Sequence, residues 1–447
     1  MSHTPPARLA GDFAAAGIRD VECLFPDVSG YPRGKLMPAH AFAAGAELRI
    51  AQAIPMQCVT GDYSYDPIFP DQDPDVLLAP DYATVKPVPW ASTPRAMAIH
   101  DCHELTGELC EFAPRTVLRN VMARYDKRGL RPVVAPEIEF YLTAPNDDPA
   151  QPLRAPAMRG GRAEVGQSAF SLNTLNEHAA FWDEFRATLD VLGIKADTWI
   201  HEVGLTQFEI NLLHDDPLVV ADQAFLFKYA AKEVALKNGL NAVFMAKPIA
   251  HQPGSSMHLH QSLVDAEGRN VFSNADGGES DLFRQYIAGL QANLPSLMLL
   301  FAPFVNSYRR FVKGSQAPVN FHWGYDNRTA GLRIPKSGPA ARRVENRVAG
   351  ADANPYLVIA ATLAAGLDGI ERALPATEPM NDSAYESAHT LPRSLVAAID
   401  TFTGDDVATR LFGERFVRGY ASLKDVEYES WLAEIGAWER RFLVPQA

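Results

Sequence analysis

Residues 133–142 read VVAPEIEFYL, and the two-residue period of an extended chain puts Glu137 and Glu139 on one side, with Ile138 and Phe140 on the other. Carboxylates two positions apart on a strand face sit about 7 Å from each other and repel unless a cation lies between or beside them. The alternation recurs in residues 206–213, where Gln207, Glu209 and Asn211 oppose Phe208, Ile210 and Leu212, with Glu202 just upstream. In residues 256–263, His258, His260 and Ser262 share a side against Met257, Leu259 and Leu263. In residues 343–348, Arg343, Glu345 and Arg347 alternate with Val344, Asn346 and Val348. Taken singly, each stretch also fits the solvated face of an antiparallel sheet. Jointly they differ from that pattern, because the polar sides carry Glu, His and Arg with almost no Lys, Ser or Thr between them. Carboxylates with one or two imidazoles suit Mg²⁺, with Mn²⁺ as a substitute, whereas zinc recruits more nitrogen or sulfur.

A second chemistry lies between these stretches. Residues 306–310 (NSYRR) and 326–335 (DNRTAGLRIP) are rich in arginine, the side chain suited to planar, bidentate capture of carboxylate and phosphate. A surface ion-pair network explains that segment equally well in isolation. Acids for cations beside arginines for anions describe a nucleotide site of the phosphoryl-transfer kind. The common nucleotide motifs fail on spacing: residues 30–36 (GYPRGKL) are one short of a P-loop and end in Leu where Ser or Thr must reach the metal. There is no GxGxxG, HExxH or GxSxG run.

The elements that must hold these side chains are partly legible. Val117, Leu118, Val121 and Met122 recur at helical spacing among Arg115, Arg119 and Arg124, which predicts a helix over 114–128 that opens a second domain. A long helix is predicted over 217–240, with Asp216 as cap, Pro217 in the first turn and Gly239 at the exit. Upstream, residues 21–100 are short apolar pieces broken by Pro and acidic turns such as Asp66-Pro67, Pro70-Asp71 and Asp73-Pro74, which reads as a small strand-rich module. Residues 160–166 form a polar, Gly-rich loop. The class is α+β, divided into residues 1–110 and 111–447. A 447-residue chain that is 47% hydrophobic can bury more than one core. Its net charge of −13 argues against a nucleic-acid partner, which would call for clustered Lys and Arg. Cys23, Cys58, Cys102 and Cys110 form no CxxC pair, as expected of free thiols in a reducing compartment. With no secretory start and no apolar run of about 18 residues, the expectation is a cytoplasmic protein without a membrane partner.

The ordered motifs PEIEF (136–140), HEVGLTQFEI (201–210), KP (247–248), GSSMHLHQS (254–262), NSYRRF (306–311), DNRTAGLRIP (326–335), VENR (344–347) and ADANPYL (351–357) resemble class I glutamine synthetases from about residue 21 to 442. The resemblance implies an N-terminal β-grasp domain, a catalytic domain with a curved antiparallel sheet flanked by helices, and a dodecamer of two hexameric rings with active sites between subunits. It implies ATP and two or three Mg²⁺ or Mn²⁺ ions per site. Glu139, Glu202 and Glu209 would hold one metal, and Glu137, His258 and Glu345 another. His260, Ser262 and Arg343 would line the nucleotide pocket; Arg328 and Arg333 would face the phosphates. Gly254, Arg310 and Arg347 would bind glutamate. Arg328, Arg310 and Glu345 are the positions expected to act on the reacting groups.

Two departures bear on the second substrate. The family's acids around ammonium have no counterpart here: Met56, Gln57 and Cys58 lie near the first position and Gln316 occupies the second. A neutral amide neither stabilises a bound cation as a carboxylate does nor takes its proton. Residues 317–328 (APVNFHWGYDNR) resemble the subgroup that γ-glutamylates amines, so the expected acceptor is a polyamine such as putrescine or spermidine, or a monoamine, in amine catabolism or detoxification. Trp323, Phe321 and Tyr325 offer apolar or cation–π surface, although each also fits simple packing. Gln316, Asp62, Tyr63 and Trp323 are therefore the expected amine pocket. Asp62 and Asp326 are candidates for deprotonating an amine whose pKa lies near ~10 by analogy with lysine. The family's adenylylation tyrosine loop is absent from residues 381–395 (NDSAYESAHTLPRSL). The rival expectations are an ammonia-using glutamine synthetase and a non-catalytic regulatory relative.

Overall fold

The structure, a computed structural model, describes residues 4–64, 72–166, 168–388 and 390–446. The Asp66-Pro67 and Pro70-Asp71 turns expected from the sequence lie outside the described residues. Six strands build the first sheet: β1 (Asp20–Pro26), β2 (Pro32–Pro38), β3 (Arg49–Ala51), β4 (Asp75–Pro80), β5 (Lys86–Pro87) and β6 (Arg95–His103), in the order β2-β1-β6-β4-β3 with β5 also on β6. Its central β1–β6 pair is parallel while the β1–β2 hairpin is antiparallel, an arrangement consistent with a β-grasp. Gly34 in β2 is obligatory, because a Cβ there would stand 2.0 Å from the Cys23 carbonyl oxygen. Alternation along β1 divides the burial. Val21 and Cys23 face a small cluster with Leu9, Phe13 and Phe42, Leu24 on the opposite face joins the large core of the rest of the chain, and Phe25 enters that core near the end of the strand.

The second sheet contains β7 (Arg131–Thr143), β8 (Ala196–His201), β9 (Gln207–Leu212), β10 (Asn241–Val243), β11 (Met257–Val264), β12 (Trp323–Tyr325), β13 (Leu332–Ile334) and β14 (Val344–Asn346). Its order is β12-β13-β14-β11-β7-β9-β8, with β10 on the far end of β7. The expected antiparallel pattern holds except between β12 and β13, which run parallel. Those strands are only three residues long, so the tight excursion 326–331 suffices to carry the chain back. Asp326 opens it at φ +48°, and Gly331 closes it where a Cβ would meet the Asn320 carbonyl at 2.3 Å.

The reverse face of this sheet rests on helices. Pro114–Asp126 and Pro217–Lys237 form where the apolar spacing predicted. Asp216 caps the latter by accepting from the amides of Leu218 and Val219, and Gly239 turns out at φ +68°. Pro355–Glu371 (PYLVIAATLAAGLDGIE) is apolar all round, as a helix covered on every side must be. It crosses Asp281–Asn293 at a contact so close that a Cβ on Gly369 would lie 2.5 Å from the Gly289 Cα. No described helix is long and apolar enough to cross a membrane.

One buried polar network ties the first sheet to the helices that back the second. Arg115 donates to Asp101 at 2.8 Å, to Asp81 at 2.8 Å and twice to Asp222, which also accepts from the Tyr356 hydroxyl at 2.7 Å. Replacing Arg115 with Met leaves Asp222 without its cation and Asp81 and Asp101 with Arg119 alone. We expect a loss of about 3–5 kcal/mol of unfolding free energy, read as a lower denaturant midpoint; a midpoint unchanged from wild type would show that the network is not what holds the first sheet to those helices.

Candidate active site

Antiparallel register decides which side chains meet, since directly opposed residues point to the same face with Cβ atoms about 5 Å apart. Glu139 of β7 opposes Glu209 of β9, and Glu137 opposes His258 of β11 on one side and Asn211 on the other. His260 opposes Glu345 of β14, which in turn opposes Arg333 of β13. The four polar faces read from the sequence are therefore one surface. Ser262 extends the same face of β11 opposite Val133.

The side-chain contacts follow from that register. Glu137 sits between two imidazoles, with Oε2 3.2 Å from His258 Nδ1 and Oε1 2.8 Å from His260 Nε2. Glu139 accepts from both the amide and the hydroxyl of Ser256 at 2.7 Å. Glu345 is fully buried and takes bonds from Arg333 at 2.6 Å and from Arg347. Arg310, also buried, gives one N–H from each Nη to the carbonyls of Val348 (2.8 Å) and Arg347 (2.9 Å). Gly254 lies against it, where a Cβ would come within 2.7 Å of Arg310 Cγ. Arg343 donates to His260 Nδ1 at 3.1 Å.

The electrostatics of this surface split the acids into two groups. Burial, then the neighbouring carboxylates, push Glu139 up to about 7 and Glu209 up to about 10, and burial raises Glu202 as well. Burial also opposes ionisation of Glu345, but Arg347 and then the histidines outweigh it and bring it down to about 2. Glu137 is likewise held low against burial by its hydrogen bonds to His258 and His260. Burial and Arg347 bring His258 down to about 4, so the imidazole is neutral and holds Glu137 through a hydrogen bond rather than a full charge. Burial lowers Arg310 to about 10, which still leaves it cationic at neutral pH.

This donor set fits divalent cations. Two groups converge within ligand distance, Glu137 with Glu209 and His258, and Glu137 with His260 and Glu345. Asn211 Oδ1, on the same face as Glu137, is buried without a hydrogen-bond partner among the described residues. Glu139 is drawn instead toward Ser256, and His260, expected on the nucleotide side, also touches Glu137. The Nε atoms of Arg333 and Arg347 are buried without partners too, as suits a surface that receives an anion.

Of the other expected residues, Asp326 accepts from Arg333 at 3.3 Å and the Gln316 backbone bonds to Arg347, while the rest lie apart from this cluster. Arg328 is exposed in the 326–331 turn. Gln316 is exposed at φ +62°, its carbonyl facing Arg347 Nη2 at 3.5 Å. Asp62 accepts from Thr60 at 2.6 Å and Tyr63 from Gln57 at 3.1 Å; neither bonds to the cluster within this chain. Trp323 is in the core, its indole donating to the Thr377 carbonyl at 3.0 Å beneath the Arg284 guanidinium. It is therefore not at the open face: its ring lies beneath Arg284 and edge-on to Tyr325, its neighbour on the same side of β12, at 5.6 Å. Ser256 was missed, although the alternation that singled out His258 also points Ser256 to the same side. Glu164 was missed for want of any signal: it reaches from a loop without periodicity to the Thr206 amide at 2.7 Å and to His201 at 3.3 Å.

The family model described as "Glutamine synthetase, catalytic domain" matches residues 111–443. The chain belongs to the glutamine synthetase family. It is 35% identical over 426 residues to a glutamate–isopropylamine ligase of Pseudomonas sp, covering 92% of each chain. It is 40% identical over 320 residues to the gamma-glutamylputrescine synthetase PuuA of Escherichia coli (strain K12), covering 71% of this chain and 68% of the relative. A solved structure described as a GmaS/ADP complex superposes with a TM-score of 0.84 at 30% identity, covering 98% of this chain and 99% of that one. The α+β class and the family resemblance read from the motifs are thus borne out.

Because Glu139 and Glu209 ionise late in the metal-free protein, the site holds at least one proton near neutrality, and divalent binding must expel it. Calorimetric titration of Mg²⁺ in two buffers of different ionisation enthalpy should show proton release, with binding that weakens from roughly pH 8 to pH 6 as Glu139 also takes up a proton. Buffer-independent heats would contradict the assignment. Glu139→Ala should lower turnover by roughly 100-fold or more with an unchanged elution volume; near-wild-type rates would remove Glu139 from the metal set.

Proposed function

We propose that this protein is an ATP-dependent glutamate–amine ligase that joins the γ-carboxylate of glutamate to an alkylamine through a γ-glutamyl phosphate, serving amine catabolism or detoxification. The observation that carries the reading is the set of opposed carboxylates and imidazoles on one sheet face, beside guanidiniums that still have N–H groups to give. The relatives named for isopropylamine and putrescine support an amine acceptor. A polyamine such as putrescine or spermidine and a simple monoamine both fall within that class.

In this reading residues 1–110 form the N-terminal domain and 111–447 the catalytic domain. Glu139, Glu202 and Glu209 would hold one Mg²⁺ or Mn²⁺, and Glu137, His258 and Glu345 another, within a total of two or three. When bound, the ions supply charge neutralisation at the transferring phosphoryl group. Arg310 and Arg347 fix the glutamate carboxylates, and Gly254 leaves room for the substrate backbone against them. Arg328 and Arg333 offset charge on the ATP phosphates, while His260, Ser262 and Arg343 line the nucleotide side. Gln316, a neutral amide at the family's ammonium position, disfavours a small cation and leaves the acceptor to enter as an alkylamine. Asp62 and Tyr63 sit on a turn held against this chain's own helix Glu414–Leu432, where the Val59 amide donates to Glu427 at 3.2 Å. They would complete the site of a neighbouring copy in a cytoplasmic dodecamer.

Phosphate release with isopropylamine, putrescine, spermidine or ammonium as the sole acceptor tests the reading. An alkylamine should exceed ammonium in kcat/KM by about tenfold or more, whereas equal or faster turnover with ammonium would make this a glutamine synthetase. No ATP-dependent product with any amine would leave a regulatory protein. Arg310→Met should raise the KM for glutamate by about 100-fold without moving the KM for ATP; equal effects on both would reassign the residue.

A further inference from the structure

A second cavity of about 530 Å³ lies behind the turn Val305–Arg310 that carries Arg310, and no residue of the carboxylate cluster lines it. One wall is a single face of Pro217–Lys237, where Phe225, Lys228 and Lys232 recur at helical spacing. Phe244 closes the opposite side and Tyr31, from the β1–β2 turn, stands at the mouth. A cavity of this size with aromatic walls and a few polar groups suits a small organic molecule.

The polar groups define its chemistry. Lys228 gives one hydrogen bond, to the Ala353 carbonyl at 2.7 Å, and its ammonium lies 5.8 Å from the Phe244 ring centre. Burial brings Lys228 down to about 7 despite the opposing charge of Asp352. Lys232 makes no hydrogen bond or ion pair among the described residues, and its ammonium stands 5.9 Å from the Tyr31 ring centre. Glu233 and Asp352 also line the cavity, but the two lysines have unspent N–H groups over aromatic walls, and a carboxylate attached to an apolar body would favour the charged form of Lys228 and complement both.

The inner wall connects to the active site. Asp352, which faces the cavity beside Lys228, accepts from Ser307 at 2.7 Å, three residues before Arg310. Asn306, also on this wall, is bonded both ways to the Lys247 backbone, at 2.9 and 3.0 Å. The amide of Ala351 bonds to the Ser255 carbonyl at 3.0 Å, next to the Ser256 that holds Glu139. A carboxylate bound at Lys228 would bring a second negative charge beside Asp352, whose Oδ1 is buried without a hydrogen-bond partner among the described residues, and so change the anchor of Ser307 and with it the placement of Arg310.

We propose that this cavity is an effector site for a small carboxylate with an apolar body, a free acid or an amino acid, that changes the affinity for glutamate through the Asp352–Ser307–Arg310 connection. The effect on glutamate rests on the proposed role of Arg310; the binding does not.

Calorimetry of the intact enzyme without ATP, using phenylacetate and L-phenylalanine separately, tests it. At least one should bind, and binding should weaken by about tenfold or more in Lys228→Met and in the exposed variant Lys232→Glu. Tighter binding of phenylacetate identifies a free acid and tighter binding of L-phenylalanine an amino acid. Saturating probe should shift the KM for glutamate while kcat at saturating glutamate stays constant. The proposal is overturned if neither probe gives heat, if both variants bind as tightly as wild type, or if the bound probe leaves the glutamate KM unmoved while Arg310→Met raises it. If Arg310→Met itself leaves that KM unmoved, the proposed role of Arg310 fails, and the heats still decide whether the cavity binds.

Discussion

Carboxylates facing one another across a hydrogen-bonded strand pair govern this structure. Glu139 and Glu209 are directly opposed, with Glu137 one step along and Glu345 two strands away. In the absence of cations the cluster relieves its charge in two ways. Glu139 and Glu209 retain protons to higher pH, while Glu137 and Glu345 lean on histidines and arginines. Such a surface stores repulsion that divalent ions remove, which makes metal binding and proton release parts of one equilibrium.

The geometry survives that repulsion because the other face of each strand is fully buried. Ile138, Phe140, Phe208, Ile210, Met257 and Leu259 all point into one apolar core. A slip of one residue in register would bring the acids into that core and the apolar residues out of it. The helix Pro355–Glu371 underlies this side, and Asn346, on the reverse of the Glu345 strand, bonds to its Thr362 at 3.0 Å. The burial that holds the strands in register is thus the same burial that raises the pKa values of the acids above them. Stability and reactivity share one cause here.

The N-terminal sheet contributes less to chemistry and more to placement. Arg115 gathers Asp81, Asp101 and Asp222 from both parts of the chain, so the first sheet cannot shift without exposing uncompensated charge. Its β1–β2 turn roofs the cavity behind Arg310, and its 53–63 segment is turned toward the C-terminal helix rather than toward this chain's own acids. A single subunit by itself therefore brings Glu137, Glu209, His258, His260 and Glu345 together, with Asp62 and Tyr63 elsewhere.

The strand faces were legible in the amino-acid order, because a period of two assigns side chains to faces wherever the chain is extended. Glu137, Glu139, Glu209, His258 and Glu345 were found that way, as were the helices at 114 and 217 from their apolar spacing and caps. Ordered motifs then led from faces to family. Which faces met was beyond that reading, since pairing joins residues more than a hundred positions apart and no local period encodes a partner. The same limit hid the bonds of Ser256 to Glu139, Glu164 beneath Thr206, and the burial of Trp323, which Arg284 covers and the Thr377 carbonyl anchors. Local sequence determined what each strand offers, and long-range packing decided what each side chain is offered to, because only the buried core selects among the registers that local geometry allows.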